Sequence, residues 1–160
     1  MLFSTYPPEA LPKAGDTVSL TYGEPLLVLR RTRNEYGQVL LRLQTPDGTE
    51  KLEMVEACHW WPQVGDIGTG VPAIYQRWLT CHWEDAKAAE DEPTMKRIQK
   101  AFYAYDNPSS WLYSDFTIEA IQGDLATVSG PKFHGTHDLP LAAIAVLERP
   151  ALEALIPKAA

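Results

Sequence analysis

The chain has 160 residues, 45% of them hydrophobic and 22% charged, a balance that suits a folded globular protein and excludes a globally disordered one. That length allows one ordinary domain or two very small ones. A formal net charge of −7 works against non-specific attachment to nucleic acid or to an anionic membrane, because such attachment begins with long-range attraction to phosphates.

The first residues, Met1-Leu2-Phe3-Ser4-Thr5-Tyr6-Pro7-Pro8, lack a basic segment followed by a long apolar one. No run of about 18 apolar residues occurs anywhere in the chain. The expectation is a soluble, cytoplasmic protein with no membrane partner, in which Cys58 and Cys81 are reduced thiols. Residues 1–14 read as an extended surface arm, since Pro7, Pro8 and Pro12 oppose helix hydrogen bonding.

From Gly15 the pattern is one of strands and turns. Thr17–Tyr22 alternates, Leu26–Arg33 is rich in apolar and branched residues, and Gln38–Thr45 forms a third run. Pro46-Asp47-Gly48 is a tight turn. The segment after it, Thr49–Glu56, places Leu52 and Met54 on one face and Lys51 and Glu53 on the other. These strands predict an N-terminal β-barrel-like unit over 15–71. Gly-Asp followed by a branched or apolar residue occurs at Gly15, Gly65 and Gly123, an internal echo of turn and strand.

A helical connector is predicted over 72–110. Pro72 suits a first helical position, with Ile74, Tyr75, Trp78, Leu79 and His82 at helical spacing. The charged stretch 84–92 reads as a solvated helix end or a loop. Pro93 opens a second helix whose stripe is Met95, Ile98, Ala101, Phe102 and Tyr105.

Strands return in a second small β unit over 111–149. Asp115–Ile121 and Asp124–Ser129 flank a turn at Gln122-Gly123, and residues 139–148 read as strand, helical turn and strand. A short C-terminal helix and tail follow over 150–160. The run Gly123-Asp124-Leu125-Ala126-Thr127-Val128, followed by Leu139-Pro140-Leu141-Ala142-Ala143-Ile144-Ala145-Val146-Leu147-Glu148, resembles the closing portion of an SH3-like small barrel of the Tudor or KOW kind. The resemblance covers about 35 residues, rests on the rhythm of strands and turns, and carries no functional residue with it. The fold expected is therefore mainly β with a helical connector (α+β), built from SH3-like or Tudor-like small barrel units, up to two of them, packed as one compact body.

Both cysteines, two of the four histidines and three of the five tryptophans crowd into Cys58-His59-Trp60-Trp61 and Cys81-His82-Trp83. Cys58, His59, Cys81, His82, His134 and His137 are all of its thiol and imidazole zinc ligands. Adjacent Cys-His residues on a strand point to opposite faces, and the spacing matches no zinc ribbon or finger, so no metal or cofactor is assigned. No nucleophile elbow, phosphate-binding glycine loop or His-Glu-x-x-His helix occurs.

The leading expectation is a non-enzymatic binding or adaptor protein that recognises a protein partner through an aromatic junction. Its candidate residues are Trp60, Trp61, Trp78, Trp83, Tyr105, Trp111 and Tyr113, because large rigid rings supply contact area at interfaces. The stretch Trp111-Leu112-Tyr113, which follows a serine-rich turn, is expected to show a ring to solvent. The first alternative is nucleic-acid binding through a basic β-hairpin carrying Arg30, Arg31, Arg33 and Arg42, which requires Arg31, Arg33 and Arg42 to share a face. A small metalloenzyme using the Cys/His set is the second alternative.

Overall fold

A computed structural model of the chain describes residues 3, 6–20, 24–131 and 133–153. It is an α+β protein, mostly β, with two antiparallel five-stranded sheets. By contacts the chain divides into two compact units, one formed by residues 1–61 and 148–160 and the other by residues 62–147. That boundary differs from the one expected at residue 71. The strand Ile67–Gly70 pairs with Phe116–Gln122 and so belongs to the second sheet.

In the first unit the strands are β1 (Thr17–Ser19), β2 (Leu26–Arg33), β3 (Val39–Gln44), β4 (Glu50–Met54) and β5 (His59–Trp60), in the order β4-β3-β2-β1-β5. Val18, Leu26, Val28, Leu41 and Leu43 fill its core. Leu52 and Met54, which share a face as the alternation predicts, lie on the exposed side rather than the core side. The N-terminal arm is not laid along the surface. Phe3, Tyr6, Ala10 and Leu11 are buried, Pro8–Ala10 forms a 3-10 turn, and Phe3 meets the Trp60 ring edge-on at 5.2 Å. The prolines forbid α-helix, but they leave apolar side chains whose burial contributes about 1.5–3 kcal/mol each for the larger ones.

In the second unit β6 (Ile67–Gly70), β7 (Phe116–Gln122), β8 (Leu125–Ser129), β9 (His137–Pro140) and β10 (Ile144–Glu148) run in the order β10-β6-β7-β8-β9. The strand, helical turn and strand expected over 139–148 are present, with a 3-10 turn at Leu141–Ala143. Between β6 and β7 stand two helices, α1 (Pro72–Ala88) and α2 (Glu92–Asp106). α1 packs on α2, on β9 and on the 3-10 turn before β10, so both helices are part of this unit. A last short helix, α3, spans Pro150–Glu153.

Each unit has the same plan: five strands, a 3-10 turn before the last, and the last strand returning beside the first. The echo noted in the sequence marks equivalent places. Pro12-x-x-Gly15-Asp16 and Pro62-x-x-Gly65-Asp66 each enter the first strand of a unit. In the first unit Gly15 donates to Val28 O and Val28 donates to Asp16 O, both at 2.9 Å, while Lys13 N–H donates to the Asp16 carboxylate at 2.9 Å. The second unit repeats this as Gly65 to Ile118 O, Ile118 to Asp66 O, and Gln63 N–H to the Asp66 carboxylate, all at 2.9 Å. Gly15 and Gly65 have φ of +94° and +91°, a region that side chains with a Cβ enter only under strain. A bulge then follows in both second strands, between Val28 and Arg30 and between Ile118 and Ala120. The third Gly-Asp, at Gly123, is instead the turn of the β7–β8 hairpin.

Both sheets remain open, with β4 and β5 at the edges of one and β9 and β10 at the edges of the other. Among the described residues no helix is long and apolar enough to cross a membrane.

Candidate binding cleft

The connection between the first two strands is where the units part company. In the first unit it covers residues 20–25; in the second it covers residues 71–115 and holds α1, α2 and a 3-10 turn at Trp111–Tyr113. α1 opens on Pro72, and its i, i+3, i+4 spacing sets Tyr75, Trp78, Leu79 and His82 on one face. α2 opens on an Asp91 cap, whose carboxylate accepts from Thr94 N–H at 3.2 Å and from Thr94 Oγ1 at 2.6 Å. Its inner face carries Arg97, Ile98, Ala101 and Ala104.

These faces, with Trp111 and the start of β9, enclose a cleft of about 520 Å³ that opens to solvent. Leu79, Ile98, Ala101 and Ala104 floor it, and a continuous aromatic array walls it. His82 meets Trp78 edge-on at 4.6 Å; Trp78 stacks on Tyr75 at 5.9 Å; Tyr75 meets Trp111 edge-on at 5.6 Å. Trp111 in turn stacks on His137 at 4.4 Å with the planes 5° apart, and Phe133 closes the array against both. Such pairs prefer these offset and edge-on geometries, which hold the rings in place before any ligand arrives.

The polar groups of the cleft are few. Burial pushes the Tyr75 phenol up to about 12, with the Asp138 carboxylate adding to it. Burial also lowers the His137 pKa, against the opposing pull of Asp138. Asp138 accepts from Thr127 Oγ1 at 2.9 Å. On the α2 side, Arg97 donates to Thr94 Oγ1 at 2.9 Å, and neither Arg97 nor Lys100 has a carboxylate within 4 Å among the described residues. No hydrogen bond joins a histidine to a serine, threonine or cysteine among the described residues. What the cleft offers is apolar aromatic surface with two cations at one side.

Of the aromatic residues singled out in the sequence, Trp78 and Trp111 line this cleft. Of the segment expected to show a ring to solvent, Tyr113 is 41% exposed, whereas Trp111 is only 8% exposed, because Tyr75, Phe116, Phe133 and His137 cover it. Trp83 lies on α1 outside the cleft, with Lys87 Nζ 5.1 Å over its ring. Tyr105 is half-buried, and its carbonyl accepts from the hydroxyl of the exposed Tyr113 at 2.6 Å. Trp60 and Trp61 belong to the first unit. Trp60 is 4% exposed, sandwiched by Phe3 and by the Arg149 guanidinium 4.3 Å over its ring, while Arg149 donates to Trp61 O at 2.9 Å. Trp60 is therefore core.

The arginines do not assemble as the nucleic-acid alternative requires. Arg30 and Arg42 pair directly across β2 and β3, and Arg42 lies 3.8 Å from Glu50. Arg31 and Arg33 lie on the opposite face, because the bulge at Val28/Arg30 shifts the alternation. Arg31 Nη1 donates to Pro8 O at 2.7 Å and Leu11 O at 3.2 Å, binding the arm to β2, and Arg33 donates to Gly37 O at 3.4 Å. For the Cys/His set, Cys58 is buried in the first unit and Cys81 is exposed on α1; no group of three His, Cys, Asp or Glu is placed to hold a metal among the described residues.

Tyr75, His82, Arg97, Lys100 and His137 were not among the expected binding residues. The signal for two of them was legible: Lys96, Arg97 and Lys100 form a basic stripe at helical spacing in an otherwise acidic chain. Comparison with protein-family models, with curated proteins and with solved structures returned no match to the chain.

Proposed function

We propose that this chain is a non-enzymatic binding protein whose second unit captures a protein partner by taking an apolar side chain into the aromatic cleft. The observation that carries the reading is the array from His82 through Trp78, Tyr75 and Trp111 to His137, which walls an open cleft of about 520 Å³. A cleft with apolar walls and a few fixed polar groups suits recognition, and rings held by one another lose little freedom when a partner docks. The two units are read as SH3-like small barrels, supported by their shared strand order and the 3-10 turn before the last strand. A cytoplasmic site of action goes with this reading and is supported by the two free thiols.

Selection of a random peptide display library on the full chain, counter-screened on Trp78→Ala, tests the proposal. Clones that bind the wild-type chain and lose binding to Trp78→Ala are expected. A library that yields only clones indifferent to Trp78→Ala would refute it.

A further inference from the structure

We infer that the partner segment is an acidic one, an apolar anchor residue followed by carboxylates that run from the aromatic cleft onto α2; this rests on the cleft being the binding site. Lys100 lines the cleft and also a shallow depression beyond it, shared with Lys96, Gln99 and Tyr103, the last of which is 72% exposed. The two hollows thus make one path along α2 rather than a closed pocket, and an extended peptide occupies such a path better than a compact small molecule. Along it stand three cations, Lys96, Arg97 and Lys100; Arg97 is linked through Thr94 Oγ1 to the Asp91 carboxylate, while Lys96 and Lys100 have no carboxylate within 4 Å among the described residues. On a chain of net charge −7 that stripe is a local reversal of sign. The opposite side of the cleft carries Asp138, so an acidic segment is steered towards α2 and away from β9. A polynucleotide would meet the same cations but would also be repelled by the chain as a whole.

The test is calorimetric titration of the full chain with four probes, while the tryptophan indole N–H signals are followed by NMR. The probes are an eight-residue peptide with one phenylalanine followed by four aspartate and glutamate residues, its asparagine and glutamine counterpart, a lysine counterpart, and a twelve-nucleotide thymidine strand. The acidic peptide is expected to bind at least about tenfold more tightly than the amide peptide, to shift the Trp78 signal, and to weaken as salt rises from low to high ionic strength. The variant Lys96→Glu, on the exposed face of α2 and outside the aromatic cleft, lowers that advantage while leaving amide-peptide binding in place. If the amide or lysine peptide binds as tightly as the acidic one, the acidic assignment falls and the cleft reading stands. If no peptide moves the Trp78 signal, both fall. Tighter binding of the thymidine strand than of the acidic peptide also overturns the inference.

Discussion

The two Pro-x-x-Gly-Asp turns have one set of hydrogen bonds in common but different surroundings, which comprise deeper burial and a further interaction at Asp66. Asp16 is half-buried, whereas Asp66 is 1% exposed. Replacing Asp66 by alanine removes the acceptor of Gln63 N–H from a site with little access to water; a hydrogen bond to a charged group in such a place is worth roughly 1.5–3 kcal/mol. In Asp16→Ala, water replaces the lost acceptor of Lys13 N–H, so the cost falls to about 0.5–1 kcal/mol. Gly15→Ala and Gly65→Ala serve as the control. A Cβ at either position meets nothing within 4 Å, so each carries only the strain of positive φ, roughly 1–2 kcal/mol and equal in both units. Amide hydrogen exchange reads each turn locally, because Val28 N–H donates to Asp16 O and Ile118 N–H donates to Asp66 O. Protection at Ile118 is expected to drop by about thirtyfold in Asp66→Ala, and protection at Val28 by about fivefold or less in Asp16→Ala. Equal losses for the two aspartates, or unequal losses for the two glycines, would refute the reasoning.

Three further outcomes follow from the structure. Cys58 is buried and its thiol is pushed up to about 12, chiefly by burial and then by Glu53 and Glu56, whereas Cys81 is exposed; a thiol reagent should count one reactive cysteine in the native chain and two after denaturation. Burial lowers the His137 and His59 pKa values below the ordinary 6.5, so the unfolded chain takes up protons first and stability, full above that pH, declines as pH falls below it. His137→Phe keeps a ring against Trp111 and should flatten the fall in melting temperature between about pH 6.5 and 5, with His59 supplying what slope remains; an unchanged slope would contradict the assignment. Arg31→Ala frees the Pro8 and Leu11 carbonyls and should cost about 1 kcal/mol in urea unfolding, while Arg33→Ala, which loses one long bond to Gly37 O, should stay within about 0.5 kcal/mol.

The local features were legible because each rests on neighbours in the chain. The turn at Gly48, the hairpin at Gly123, both helix starts at Pro72 and Pro93, and the strand, turn and strand of 139–148 follow from residues a few positions apart. What was not legible depends on partners far away. Ile67–Gly70 follows the first sheet in sequence, yet its partner β7 begins at Phe116, beyond both helices. The face of Arg31 turns on a bulge that strict alternation does not show. Which ring of Trp111-Leu112-Tyr113 faces solvent is not legible locally: Tyr113 is exposed, but Tyr75 and His137, one before and one after Trp111 in the chain, converge on the Trp111 ring. The Gly-Asp echo was visible, and adding the proline three residues before each glycine separates the two strand-entry turns from Gly123, which is preceded at that position by Ala120.

The shared plan of the two units also accounts for the place of the cleft. In both units the entry turn closes on itself and is tied to the second strand by the glycine N–H and the aspartate carbonyl, so the loop after the first strand can lengthen without disturbing those bonds. Lengthening a loop costs little closure entropy, since each doubling adds only about 0.6 kcal/mol, provided the added residues bury apolar surface of their own. α1 packs against α2 and β9, and α2 against α1 and the 3-10 turn at Trp111–Tyr113. Residues that hold the sheet, such as Asp66, Phe116 and Ile118, are thereby distinct from most of those that wall the cleft, and Trp111 is the exception: it touches Phe116 on one side and His137 on the other. Substitution at Trp111 should therefore lower stability and binding together, whereas substitution at the half-buried Trp78 should lower binding with the sheet intact.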